Sequence, residues 1–172
     1  VHCRAILALS SFCVLSSQGD NGADISPRGD PPGFLRVLDD KRLLLPDRIG
    51  NNRLDTFENI LTNPMVAVLV LIPGVDETLR INGAAQITDD ARLLAGSAVR
   101  GRPPSIGLII AVREVFLHCP KAFVRSELWN PKKQVDRSVL PSYTVMLTEH
   151  VAGLSEEESN RQAGVTEKRG VY

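Results

Sequence analysis

The sequence has no excess of either charge, since its 172 residues include 20 basic and 20 acidic side chains. This balance argues against binding to nucleic acid or a membrane surface through bulk positive charge, and we expect neither partner. No run of 18 apolar residues is present, so no transmembrane helix is predicted. The first residues are similar to a secretion signal, but no small-residue cleavage site follows the apolar stretch. A cytoplasmic location is therefore the simpler prediction.

Cysteine is also scarce, and its spacing indicates neither a disulfide framework nor a zinc site. Cys3, Cys13 and Cys119 are widely separated and lie in apolar surroundings. His118 beside Cys119 raises the alternatives of a metal ligand or a thiol nucleophile, but partner ligands and a base motif are missing. We predict that Cys119 is a small buried residue and that the protein has no metal site.

The common catalytic motifs are missing too. The sequence contains no glycine-rich nucleotide-phosphate loop, no glycine–x–serine–x–glycine turn and no His–Glu–x–x–His helix. These absences argue against the commonest nucleotide hydrolases, dinucleotide-binding folds and hydrolytic triads. No residue is identified as catalytic.

Short strands separated by polar turns dominate the first part of the chain. Four strands are predicted between Phe12 and Leu45, and their short connections predict an antiparallel meander that forms a barrel or sandwich. The apolar segment 65–72 predicts a central strand covered on both faces. Gly83, inside the next strand, predicts a bulge or a close backbone approach.

The first candidate ligand site is the junction between the strand at 43–45 and a helix predicted to begin at Asn51. Asn51 or Asn52 is expected to cap this helix, whose free N–H groups and positive dipole, together with Arg53, would suit a phosphate. If the sheet curls into a barrel, Arg28 would reach the same helix start and complete a clamp for a dianion. The alternative is that the asparagine only caps the helix and the arginines are solvated surface residues.

A second candidate site follows His118. On a helix beginning near Pro120, Lys121, Arg125 and Trp129 recur every four residues and would share one face. An aromatic ring beside two cations would suit an electron-rich, phosphate-bearing ring system.

The order of several short motifs resembles one protein family. The motifs are SPRGDPPGF at 26–34, LDD at 38–40, LPDR at 45–48, GNNRLD at 50–55, NI at 59–60, NP at 63–64, PGVDETLRING at 73–83, and HCxKA with RSxLW at 118–129. Over about residues 12–131 they resemble a subgroup of the pyridoxamine 5′-phosphate oxidase-like split-barrel flavoproteins. The resemblance implies a mainly β, α+β fold: an antiparallel split β-barrel with short flanking helices. It implies an FMN-binding domain over 1–153, followed by a C-terminal helix and tail over 154–172.

The resemblance also implies a homodimer with FMN at the subunit interface. The family's phosphate contacts fall on Arg28, Asn51, Asn52 and Arg53. Residues beside the isoalloxazine ring and ribityl chain would be Leu45, Pro46 and Asp47. Lys121, Arg125 and Trp129 are candidates for the remaining contacts, from the same chain or from its partner.

The implied function is hydride or electron transfer through FMN, with a small-molecule substrate or electron donor. The authentic oxidase carries a Ser-Arg-Lys phosphate motif, which Asn51-Asn52-Arg53 replaces here, and the substrate-binding arginine and histidine near its C-terminus have no convincing equivalent. Vitamin B6 oxidation is therefore not the expected reaction. Two alternatives stay open: a non-catalytic flavin-binding or sensing module, and a related split-barrel protein that uses a deazaflavin or haem. Because the sequence starts at Val1 without methionine, we expect a longer N-terminus to precede it.

Overall fold

The computed structural model describes residues 2–20, 22–50, 53–151, Ser155 and residues 157–160. The chain forms two compact units. The first runs up to Asp47 and then from Arg53 to Trp129, and the second comprises residues 48–52 and residues from Asn130 onward.

The first unit is an antiparallel sheet with short helices around it. Its elements in chain order are α1 (His2–Leu9), β1 (Phe12–Gly19), β2 (Gly22–Gly29), β3 (Arg36–Val37), β4 (Arg42–Pro46), α2 (Asp55–Thr62), β5 (Met65–Ile72), β6 (Val75–Thr88), α3 (Ala91–Ala95), β7 (Gly107–His118) and α4 (Lys121–Ser126). The strand order across the seven-stranded sheet is β2-β1-β5-β6-β7-β4-β3.

The first four strands do not form the predicted meander. β1 pairs with β2 and β3 pairs with β4, but β2 and β3 lie at opposite edges of the sheet. The reason is that β5, β6 and β7 form the centre, and each hairpin adds to one side of it. β1 pairs with β5, and β4 pairs with β7.

The short connection between β2 and β3 shows that the sheet curls. Its Gly33 N–H donates to the carbonyl of Ser10, which directly precedes β1, at 3.0 Å. β3, at the opposite edge of the sheet, begins at Arg36, three residues after Gly33. The Cα atoms of Gly33 and Arg36 therefore lie within roughly 11 Å of each other. A flat seven-stranded sheet would separate its edge strands by about 29 Å. The predicted antiparallel split β-barrel of the α+β class is therefore confirmed.

The inside of the curled sheet is apolar, and alternate residues along the strands line it. One residue of α1, Leu7, and two residues of α2, Phe57 and Ile60, also belong to this core. The strand residues in the core are Cys13, Leu15, Leu43, Leu45, Val66, Val68, Val70, Leu79, Ile81, Ala85, Leu108 and Ile110.

β5 is central, as predicted, but within this chain it is not fully covered on both faces. Its inward residues are buried, with Val68 only 2% exposed. On the outward face Ala67 and Leu69 are partly exposed, and Met65 is 37% exposed. The prediction failed because an unbroken apolar run does not distinguish a strand buried inside one chain from a strand with an uncovered outer face.

The second unit begins with two 3₁₀ helices, Pro131–Lys133 and Arg137–Val139, which precede α5 (Tyr143–His150). Ser142 caps α5 by accepting a hydrogen bond from the N–H of Val145. The predicted domain boundary after residue 153 lies outside the described residues. In the part of the chain that the structure describes, no helix has the length and apolar character needed to cross a membrane.

Gly83 occupies the predicted close approach. The register between β6 and β7 shifts between Asn82 and Gly83, which is a bulge. A Cβ atom at Gly83 would collide with the backbone carbonyl of Ala111 on β7. Only glycine, which has no Cβ atom, therefore fits at this position without a shift of the backbone.

Gly83→Ala should lower the free energy of unfolding by about 2 kcal/mol, because a backbone neighbour cannot move away as a side chain can. Urea unfolding followed by circular dichroism measures this loss. Gly29→Ala is the matched control, since its new Cβ would meet its nearest atoms at 3.5 Å, an ordinary contact. Equal stability of the two variants would contradict the assignment.

Candidate cofactor site

Arg28 lies near the end of β2 and faces the inside of the barrel. It is directly opposite the buried Cys13 of β1, and paired residues on neighbouring strands share a face. The guanidinium Nη1 donates to the Asp47 carboxylate, which follows β4, and Nη2 donates to the Thr56 hydroxyl at 3.4 Å. The side chain is only 17% exposed. Arg28 therefore contacts both α2 and the residue that follows β4, while its predicted approach to Asn51 and Asn52 lies outside the described residues.

The Arg28 guanidinium keeps unused hydrogen-bonding capacity. Its Nε atom is buried, and no acceptor among the described residues bonds to it. A guanidinium has five N–H donors in a planar fork that matches a phosphate. An unsatisfied buried donor is costly, so an additional acceptor at this position would be stabilising.

The helix start differs from the prediction. α2 begins at Asp55, its N-cap residue is Leu54, and no side chain caps it. The prediction that Asn51 or Asn52 caps this helix is therefore wrong, and both asparagines lie outside the described residues. The carboxylates of Asp55 and Glu58 lie in the first turn instead, where they interact favourably with the helix dipole.

Arg53 precedes the helix rather than forming its first turn. Its Nε donates to the Asp55 carboxylate at 2.9 Å, and its side chain is 72% exposed. Water screens an ion pair at such an exposed position. Arg53 is therefore far more exposed than Arg28, and its predicted role at a phosphate stays a prediction.

The three residues that end β4 and follow it have different environments. The side chain of Leu45 is 1% exposed and packs in the barrel core, and Pro46 is also buried. Asp47 is held by its backbone N–H, which donates to the carbonyl of Ile106 at 3.0 Å. Leu45 and Pro46 are therefore both buried, on opposite faces of β4 because successive strand residues alternate, and their cofactor contacts stay predictions.

The prediction that Lys121, Arg125 and Trp129 share one helical face is wrong for Trp129. α4 ends at Ser126, because Glu127 takes a left-handed conformation with φ 50° and turns the chain out of the helix. Lys121 and Arg125 remain one turn apart on α4, and both are exposed. Trp129 lies beyond the helix.

Trp129 holds the segment after α4 against the sheet. Its indole stacks on Phe123 at a centroid distance of 6.0 Å, and its Nε1 donates to the carbonyl of Val75 at 3.0 Å. Val75 begins β6, whereas Arg28 lies on β2, beyond β1 and β5 in the strand order. Within the chain, Trp129 already has partners for its ring and its N–H group.

The cysteines also differ from expectation, because Cys119 is exposed and not buried. β7 extends past its pairing with β4, so the end of β7 and the residue after it are left uncovered. Cys13 is the buried thiol: burial raises its pKa to about 12, and the nearby Arg28 charge opposes this only in part. The described ranges contain no group of three His, Cys, Asp or Glu residues that could hold a metal ion.

The two thiols should therefore react very differently with an alkylating reagent at pH 8. Cys119 should be modified rapidly, while Cys13 should react only after unfolding, because both its burial and its pKa of about 12 suppress the thiolate. Mass spectrometry of iodoacetamide-treated protein locates the modified residues. Cys119→Ser should remove the modification at that position and leave any reaction at the partly exposed Cys3 unchanged, and rapid modification of Cys13 in the folded protein would contradict its placement.

The comparisons with known proteins show the family and agree with the fold. The sequence profile described as pyridoxamine 5′-phosphate oxidase matches residues 2–119. The chain belongs to the pyridoxamine 5′-phosphate oxidase family. Membership in this family supports a flavin cofactor, and the match covers the barrel with both Arg28 and Asp47. A comparison with curated proteins finds no match.

Two solved structures show the same fold. HupZ from Group A Streptococcus has a TM-score of 0.54 and 16% identity, over 67% of this chain and 90% of that chain. A protein related to general stress protein 26, from Clostridium acetobutylicum and described as of the pyridoxinephosphate oxidase family, has a TM-score of 0.52 and 14% identity, over 68% and 85%. At identities this low, the likeness supports the fold alone.

Two features of the site were missed in the sequence. The first is the ion pair between Arg28 and Asp47, and the second is the contact of Arg28 with Thr56. The partners are 19 and 28 residues away from Arg28 along the chain, so no local pattern joins them. Knowledge that the sheet curls, combined with the inward position of Arg28, would have indicated both.

Proposed function

We propose that the protein binds FMN with its phosphate group at Arg28, and that it acts as an FMN-dependent oxidoreductase. The observation that carries this proposal is the largely buried guanidinium of Arg28, whose Nε has no acceptor among the described residues. A phosphate oxygen would satisfy this donor and would add a charge-assisted bond. The hydroxyl of Thr56, at 3.4 Å from Nη2, offers a further polar group at the same place.

The other contacts that the resemblance implies stay part of the proposal. Asn51, Asn52 and Arg53 would serve the phosphate group. Leu45, Pro46 and Asp47 would lie beside the isoalloxazine ring and ribityl chain. Lys121, Arg125 and Trp129 would contribute from the same chain or from a second subunit.

A homodimer is part of this proposal. The outward face of β5 supports it, because Ala67 and Leu69 are only partly buried and Met65 is 37% exposed. Apolar residues of this kind are stabilised when a second copy covers them. FMN at the interface would then contact both chains.

FMN, when bound, would supply hydride or single-electron transfer to a small-molecule substrate or from an electron donor. The residues of the chain would bind and orient the cofactor. Arg28 would hold one end of the cofactor through its charge, and the buried side chain of Leu45 belongs to the barrel core. We propose a cytoplasmic location, and none of the described residues is assigned a proton-transfer role.

A non-catalytic flavin-binding module is the second candidate. It is a distinct candidate because family membership does not establish turnover, and none of the described residues is assigned a proton-transfer role. Flavin reduction by a nicotinamide donor followed by reoxidation would support the oxidoreductase, whereas bound FMN without turnover would support the module.

Arg28→Gln should weaken FMN binding by about ten- to a hundredfold, on the scale of a lost charge-assisted hydrogen bond. Riboflavin binding should change little, because riboflavin lacks the phosphate. Titration of flavin fluorescence with the apoprotein measures both dissociation constants.

Arg42→Gln is the matched control, since Arg42 is 57% exposed and pairs with Asp39 on the surface. Arg53→Ala should have a smaller effect than Arg28→Gln, because Arg53 is 72% exposed. An unchanged ratio of FMN to riboflavin affinity in Arg28→Gln would contradict the phosphate assignment.

A further inference from the structure

The ion pair between Arg28 and Asp47 places a negative charge at the proposed phosphate position. Asp47 accepts from Nη1 of Arg28, and the two side chains are 17% and 22% exposed. Both charges are therefore shielded from water on most of their surface. An interaction in such a setting is screened less than one on an open surface.

The carboxylate of Asp47 is held in place by the fold. Its backbone N–H bonds to the carbonyl of Ile106, just before β7, at 3.0 Å. The preceding residues Leu45 and Pro46 are paired with β7 and buried. The backbone at Asp47 therefore cannot shift easily to move the carboxylate away.

A phosphate on the same guanidinium would meet this carboxylate. Nη1 is used by Asp47, while Nε has no acceptor and Nη2 has only the long bond to Thr56. A dianion that bonded to Nε and Nη2 would lie a few ångströms from the Asp47 carboxylate. Two like charges at that separation repel strongly where water is largely excluded.

We infer that Asp47 competes with the phosphate for Arg28 and sets the preference of the site between phosphorylated and unphosphorylated flavins. This inference rests on the proposed function. In it, the carboxylate stays on Nη1 of Arg28 and lowers the affinity for FMN relative to riboflavin, because it repels a phosphate held by Nε and Nη2 of the same guanidinium. Asp47 is thus a specificity-determining residue and not a ribityl-chain ligand.

The inference and the resemblance make opposite predictions for Asp47→Asn. If Asp47 competes with phosphate, the neutral amide should tighten FMN binding by about tenfold and leave riboflavin binding nearly unchanged. If Asp47 contacts the ribityl chain, which both flavins share, the same variant should weaken both. The experiment is titration of FMN and riboflavin fluorescence with the apoprotein of each variant.

Two further variants keep the experiment decisive. Asp47→Ser removes the charge with a smaller side chain, so it tests the same effect if the amide perturbs folding. Asp40→Asn is the matched control, because Asp40 pairs with Arg4 on the surface with side chains 96% and 54% exposed. Thermal melting checks that each variant is folded.

The outcomes separate the two proposals. A higher ratio of FMN to riboflavin affinity in both Asp47 variants, with no change in Asp40→Asn, supports the inference. An unchanged or lower ratio in the Asp47 variants, while Arg28→Gln still lowers it, overturns the inference and leaves the proposed function standing. If Arg28→Gln does not lower the ratio, the phosphate role of Arg28 fails, and the inference fails with it.

Discussion

The contact between Arg28 and Asp47 joins two strands that are far apart in the sheet. Arg28 belongs to β2, Asp47 follows β4, and four strands separate β2 from β4 in the sheet order. The sheet must curl almost completely for these side chains to meet. The same curl encloses the apolar core and brings Arg28 to α2, so the proposed cofactor site is a consequence of barrel formation.

In this arrangement the same ion pair affects both the stability of the fold and the proposed binding of a phosphate, and the two effects are opposed. A largely buried arginine requires a negatively charged or polar partner, because desolvation of an isolated charge is costly. Asp47 provides that partner and helps to hold the edges of the barrel together. If Arg28 also binds a phosphate, the group that stabilises the protein opposes its ligand, and the strength of binding depends on the balance between the two anions.

The sequence was informative where local chemistry decides the structure. Gly83 predicted the close approach between β6 and β7, and the apolar segment 65–72 predicted a central strand. Predictions failed where distant parts of the chain decide. The predicted meander is wrong because the first hairpin pairs with β5 and the second pairs with β7, on opposite sides of the sheet. A pattern of short strands does not determine strand order.

Helix ends were the other source of error. The asparagines before α2 suggested a cap, yet the helix begins only at Asp55, with acidic residues in its first turn. After α4, the left-handed Glu127 moves Trp129 off the predicted face and onto Phe123. Such ends depend on a few torsion angles and on tertiary contacts, which spacing alone does not report.

The central claim is that this barrel binds FMN. The most direct measurement is the absorption spectrum of the freshly purified protein, followed by heat release and mass spectrometry of any bound compound. We expect a yellow protein that releases FMN in a stoichiometric amount. A colourless protein that also fails to take up added FMN would contradict the claim and leave only the split-barrel fold in place.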